Sequence, residues 1–138
     1  MSIYNVPDVS EHQPNFDFTP YAGKFAILRA GVASREDYSF RRHVAECQRL
    51  GITIGVYFYS YALNVAQAIE EAQRFVSIID GVDIGLGAWL DMEDADHYKV
   101  NSGVYITHDN IAPMSKAFSD IVASNGYYTG IYTSLSWL

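Results

Sequence analysis

Short continuous apolar runs alternate along this chain with longer stretches whose apolar residues recur at helical spacing, and that alternation limits its folds most. Phe25-Ala26-Ile27-Leu28, Ile52 to Tyr61, Ile84 to Leu90 and Tyr128 to Ser134 read as strands, the apolar ones buried on both faces. Between them, stripes of Phe40, Val44 and Cys47, of Val65, Ala68, Ala72, Phe75 and Ile79, and of Ile111, Met114, Phe118 and Ile121 read as amphipathic helices. Ser34-Arg35-Glu36-Asp37 has the form of a capping box, and Asn64 that of an N-cap. Gly51, Gly81 and Asn125-Gly126 supply the stops. A further short strand is predicted over residues 2–9, a loop with at most one helical turn over 15–23, and a polar loop from Glu93 to Gly103. Strand, strand, helix, strand, helix, strand, helix, strand implies parallel βαβ units with right-handed crossovers, an α/β fold.

The run from Ile84 to Leu90 leads straight into Asp91-Met92-Glu93. Residues i and i+2 of a strand point the same way, so Asp91 and Glu93 share a face with Cα atoms roughly 6.5–7 Å apart. Two carboxyl groups so placed suit glycoside hydrolysis, in which one protonates the leaving oxygen and the other serves the anomeric carbon. The plainer alternative is a strand end meeting water. Asp8, Arg29, Tyr61, Asp91, Glu93 and Ser134 all fall at or just after the C-terminal end of a predicted strand. Active sites of β/α barrels and open α/β sheets form at that rim. Arg29 reads either as a partner for the carboxylates or as a snorkelling side chain at a strand end.

The 138 residues make one domain by length, large enough for a real core. A net charge of −7 argues against nucleic acid or an anionic membrane as partner, though not against sugar. Eleven Tyr, seven Phe and two Trp provide core and flat faces for sugar rings, with Tyr57, Tyr59 and Tyr61 on one strand face. Cys47 is alone and reads as a buried small hydrophobe. The first eight residues lack the basic and apolar regions of a signal peptide, and no apolar stretch is long enough to span a membrane. His12, His43, His97 and His108 lack zinc spacing; His12 is expected near the rim and the other three at the surface. Asp91, Glu93, Asp94 and Asp96 could in principle hold a hard cation, but a solvated acidic loop explains them more simply, so no metal and no cofactor is expected.

Several segments carry a resemblance. Asp8-Val9-Ser10-Glu11-His12-Gln13, Phe25 to Ala30, Gly55 to Ala62, Leu90-Asp91-Met92-Glu93 and Gly126 to Tyr132, in that order and spacing, resemble glycoside hydrolase family 25, the Chalaropsis-type N-acetylmuramidases found among autolysins and phage endolysins. The resemblance covers nearly the whole chain. It implies an irregular, TIM-barrel-like β/α barrel and cleavage of the β-1,4 bond between N-acetylmuramic acid and N-acetylglucosamine. It implies Glu93 as general acid, Asp91 as second catalytic carboxylate, and Asp8 in the same acidic cleft. Arg29, Tyr57, Tyr59, Tyr61 and Tyr132 would line the cleft and bind substrate. The partner would be a peptidoglycan glycan strand, met at the cell wall by an exported or phage-delivered protein.

The sequence departs from the family pattern in two ways. Val32-Ala33 follow Gly31 where an aromatic residue and a Gly are common. Five predicted strands are fewer than a complete barrel uses, so residues 1–138 are expected to form a single catalytic domain lacking the last strands. An unpaired edge would favour a homo-oligomer. Alternative readings are a non-catalytic glycan-binding module, a truncated inactive fragment and, with less support, a chitinase-like glycosidase.

Overall fold

The computed structural model describes residues 5–105 and 107–133. The elements are β1 (Asp8–Val9), a 3-10 turn (Thr19–Tyr21), β2 (Phe25–Val32), β3 (Arg35–Glu36), α1 (Phe40–Arg49), β4 (Thr53–Tyr59), α2 (Val65–Ile79), β5 (Ala88–Met92), α3 (Tyr98–Asn101), α4 (His108–Ser124) and β6 (Thr129–Thr133). The main sheet runs β1-β2-β4-β5-β6 and every neighbouring pair is parallel. Short β3 folds back antiparallel on the end of β2. Among the described residues β1 and β6 do not pair, so the sheet is an open portion of a β/α barrel. Ser134, and residues 2–4 of the predicted first strand, lie outside the described residues. No helix described is long and apolar enough to cross a membrane.

Alternation along the strands sorts the side chains. Ala26, Leu28 and Ala30, Ile54, Val56 and Phe58, and Ala88, Leu90 and Met92 are buried in the core that the helices share. Phe58 of β4, Phe75 of α2 and Phe118 of α4 form a triangle with ring centroids 5.7–5.9 Å apart. This cluster fixes two helices on one strand; each ring removed from water stabilises the fold by about 1.5–3 kcal/mol. Asn64 caps α2 by accepting a bond from the Gln67 N–H at 2.8 Å, and Gly51 after α1 takes a positive φ of 66°, open to glycine without strain. Cys47 is buried and its thiol is pushed up to about 11 by desolvation.

Three local expectations are corrected. Ser34 caps no helix: Arg35–Glu36 form β3, and α1 begins at Phe40. The Asp37 carboxylate instead accepts Arg29 Nε at 2.8 Å and the N–H groups of Ser39 and Glu11. A long-range ion pair thus overrides the local capping pattern. His43 is buried, not at the surface; its Nε2 lies 3.1 Å from the Gln13 carbonyl and its ring meets the Phe18 ring edge-on. Glu93 to Gly103 is not all loop: it contains α3, and Lys99 on it is fully buried.

Candidate active site

Asp91 lies on β5 beside Tyr59 of β4 and Tyr132 of β6, one residue before the strand ends. Glu93 follows just past the end, on the same side by the two-residue repeat. Asp8 heads β1, across from Ile27. These strand ends border a cleft of about 360 Å³ lined by Asp8, Ile27, Tyr57, Trp89, Asp91, Glu93, Ile131 and Tyr132. Acids and apolar or aromatic faces therefore alternate around one concavity on the sheet face opposite the helices. A sugar ring, with polar edges and apolar faces, matches such a lining.

Electrostatics separate the acids. Asp91 is buried, and its Oδ1 has no hydrogen-bond partner among the described residues. Its carboxyl is pushed up to about 8, first by desolvation, then by the neighbouring Glu93 carboxyl, with a smaller push from Asp8 and a small opposing pull from Lys99. Asp91 therefore keeps a proton at neutral pH within a pair whose titrations are linked. Tyr57 is driven well above the ordinary phenol range by burial first and then by the Asp8 carboxylate, so it stays neutral and able to donate.

The cleft brings together Asp8, Tyr57, Asp91, Glu93 and Tyr132. Arg29, Tyr59 and Tyr61 stand outside its lining. Arg29 leaves β2 at a register shift between Arg29 and Gly31 and turns to Asp37, with Glu11 at 3.5 Å. Glu11 also binds Arg35 through both oxygens at 2.7 and 2.8 Å, which holds its carboxyl down at about 2. Tyr59 accepts the Ala95 N–H, and Tyr61 donates to Asp96 at 2.5 Å. Both rings thus pin the loop after β5. In that loop Asp94 accepts the Lys99 and Val100 N–H groups, so its oxygens are engaged by backbone. Among the described residues no group of three or more His, Cys, Asp or Glu is placed to hold a metal ion.

Sequence reading missed Ile27, Trp89 and Ile131 as lining residues. The signal for Trp89 was present, since it lies two residues before Asp91 and so on the same strand face. Its indole N–H donates to the Leu86 carbonyl at 2.8 Å, which leaves the ring as a wall.

The family model for glycosyl hydrolases family 25 matches residues 7–138. The chain belongs to this family. Its fold is similar to that of the modular autolysin LytC from Streptococcus pneumoniae, at 26% identity and a TM-score of 0.80 over 94% of this chain and 32% of that one. The catalytic domain of endolysin ply40 from bacteriophage P40 of Listeria monocytogenes matches at 24% identity and a TM-score of 0.75, over 99% of this chain and 67% of that one. A family GH25 lysozyme from Aspergillus fumigatus matches at 18% identity and a TM-score of 0.73, over 94% and 65%. The chain therefore spans about a third of LytC and about two thirds of the other two. A comparison with curated protein sequences finds no match.

Proposed function

We propose that this family 25 domain is a muramidase that hydrolyses the β-1,4 bond between N-acetylmuramic acid and N-acetylglucosamine in peptidoglycan. The observation that carries the reading is the Asp91 and Glu93 pair on one strand face at the wall of an aromatic-lined cleft. Structural similarity to LytC, which has also been solved with a synthetic peptidoglycan ligand, supports the choice of glycan. Glu93, half-buried and nearer solvent than Asp91, delivers a proton to the glycosidic oxygen as the C1–O bond breaks. Asp91 sits beneath, gives up to Glu93 the proton that the linked pair keeps on it at rest, and then, as a carboxylate, stabilises the charge that develops at the anomeric carbon, directly or by orienting the substrate acetamide. Water then adds at that carbon and returns a proton to the pair. Asp8 and Tyr57 also line the cleft, and Trp89 and Tyr132 offer ring faces to the sugars. Such a substrate places the action at the cell wall, reached by export or delivered by phage.

A second reading is favoured by the proton on Asp91. A neutral Asp91 at pH 7 can donate to a sugar hydroxyl, as a non-catalytic glycan-binding module would require. Digestion of purified peptidoglycan followed by borohydride reduction separates the two. A muramidase yields reduced N-acetylmuramic acid at the new ends. A binding module retains glycan and yields no new ends, and reduced N-acetylglucosamine would contradict the bond assigned.

A further inference from the structure

Just past the ends of β4 and β5 lies a buried charge that catalysis as described does not use. Lys99, on the short α3, has no exposed surface. Its Nζ donates to the Ser60 carbonyl at 2.6 Å and to the Glu93 carbonyl at 2.7 Å. These carbonyls belong to the residues that follow β4 and β5. The ammonium also lies 5.9 and 5.8 Å from the ring centres of Tyr59 and Tyr61, within cation–π range. Among the described residues it has no ion pair. Glu71 on α2, Asp91 on β5, and Asp94 and Asp96 in the loop surround it. Glu71 is engaged elsewhere, accepting Ser60 Oγ at 2.6 Å and the Tyr61 N–H at 2.8 Å.

Burying an ammonium is costly unless it is paired or hydrogen-bonded, and Lys99 meets that cost through the two carbonyls it holds. The backbone at Glu93 identifies what depends on Lys99. The sheet ladder ends at Met92, paired with Thr133, and the last contact of β4 with this end is the Ser60 N–H to the Asp91 carbonyl at 3.0 Å. Glu93 lies one residue beyond Met92 and two beyond Asp91, and among the described residues no strand partner sets its dihedrals. We propose that Lys99 is a positioning residue for the carboxyl pair: by tying the Ser60 and Glu93 carbonyls together, it sets the direction in which Glu93 leaves the sheet and its spacing from Asp91. The inference rests on the role proposed above for that pair, though the tie itself is independent of any reaction.

Carboxyl ¹³C NMR titration of the 138-residue chain provides the test, because it needs no cleavage. Two close carboxyls titrate in two separated steps, and the separation reports their spacing. A lost cation alone would move both steps upward together. In Lys99→Met we expect the separation to narrow by about one pH unit as Glu93 is released. Lys99→Arg, which keeps the charge and donor groups, should recover most of it. An unchanged separation in folded Lys99→Met overturns the proposal. If that variant does not fold, the wild type decides. Its Lys99 ammonium should exchange slowly and show hydrogen-bond couplings to the Ser60 and Glu93 carbonyl carbons; exchange as fast as that of exposed Lys24 overturns the tie. Failure of this tie leaves the muramidase reading standing, and absence of glycan cleavage leaves the tie standing.

Discussion

Asp91 is held in its protonated form by burial and by Glu93, so it links pH to both stability and chemistry. An unfolded chain releases this proton near pH 3.9, whereas the folded chain keeps it to about 8. The stabilisation is complete below about pH 4 and declines as the pH rises to about 8, with a slope of at most about 1.4 kcal/mol per pH unit. Asp91→Asn should remove that component and be more stable than wild type at about pH 8, as active-site substitutions often are. Urea unfolding at about pH 5 and about pH 8 checks this; a wild-type minus variant difference that does not change with pH contradicts it. The two-residue spacing made the pair readable in the sequence. The same spacing reached Trp89, although its role went unread. The fates of Arg29, Tyr59 and Tyr61 were not readable, because Asp37, Ala95 and Asp96 claim them only after folding. Lys99 gave no local sign either: its partners are carbonyls, which every residue has.

Elements were legible where their signals are local. Asn64 is both read and seen as the N-cap of α2, and Asn64→Ala should cost about 1 kcal/mol in chemical denaturation. A cost near zero would mean that packing alone sets the helix start. The Phe58, Phe75 and Phe118 cluster carries more, and Phe58→Ala should cost about 3–5 kcal/mol by leaving a cavity under two helices. A loss below about 1 kcal/mol would show that α2 and α4 do not depend on that ring. Ser34 misled because an acid three residues on is a capping signal only if the acid is free. Here Asp37 is committed to Arg29, eight residues back, and the chain makes β3 before α1 begins. The short α3 escaped notice because four residues carry too little periodicity to read.

At the scale of the molecule, parallel order and crossovers followed from alternation alone, whereas where the sheet closes did not. β6 pairs with β5 and, among the described residues, with nothing on its other side, while Ile131 and Tyr132 on it are exposed. An open edge of this kind invites pairing with a second copy of the chain. We expect sedimentation velocity to show concentration-dependent association, reduced by Ile131→Lys; a single monomer at every concentration, the same in both proteins, would contradict it. The central claim is that Glu93 supplies the proton that breaks a cell-wall glycan. It is tested most directly by muropeptide release from purified peptidoglycan by wild type and Glu93→Gln, with binding to the same glycan measured in parallel. Glutamine keeps the shape of the side chain and cannot donate that proton. The account predicts that Glu93→Gln loses at least about a hundredfold in turnover with binding nearly unchanged. Release by Glu93→Gln at a rate close to wild type would contradict it.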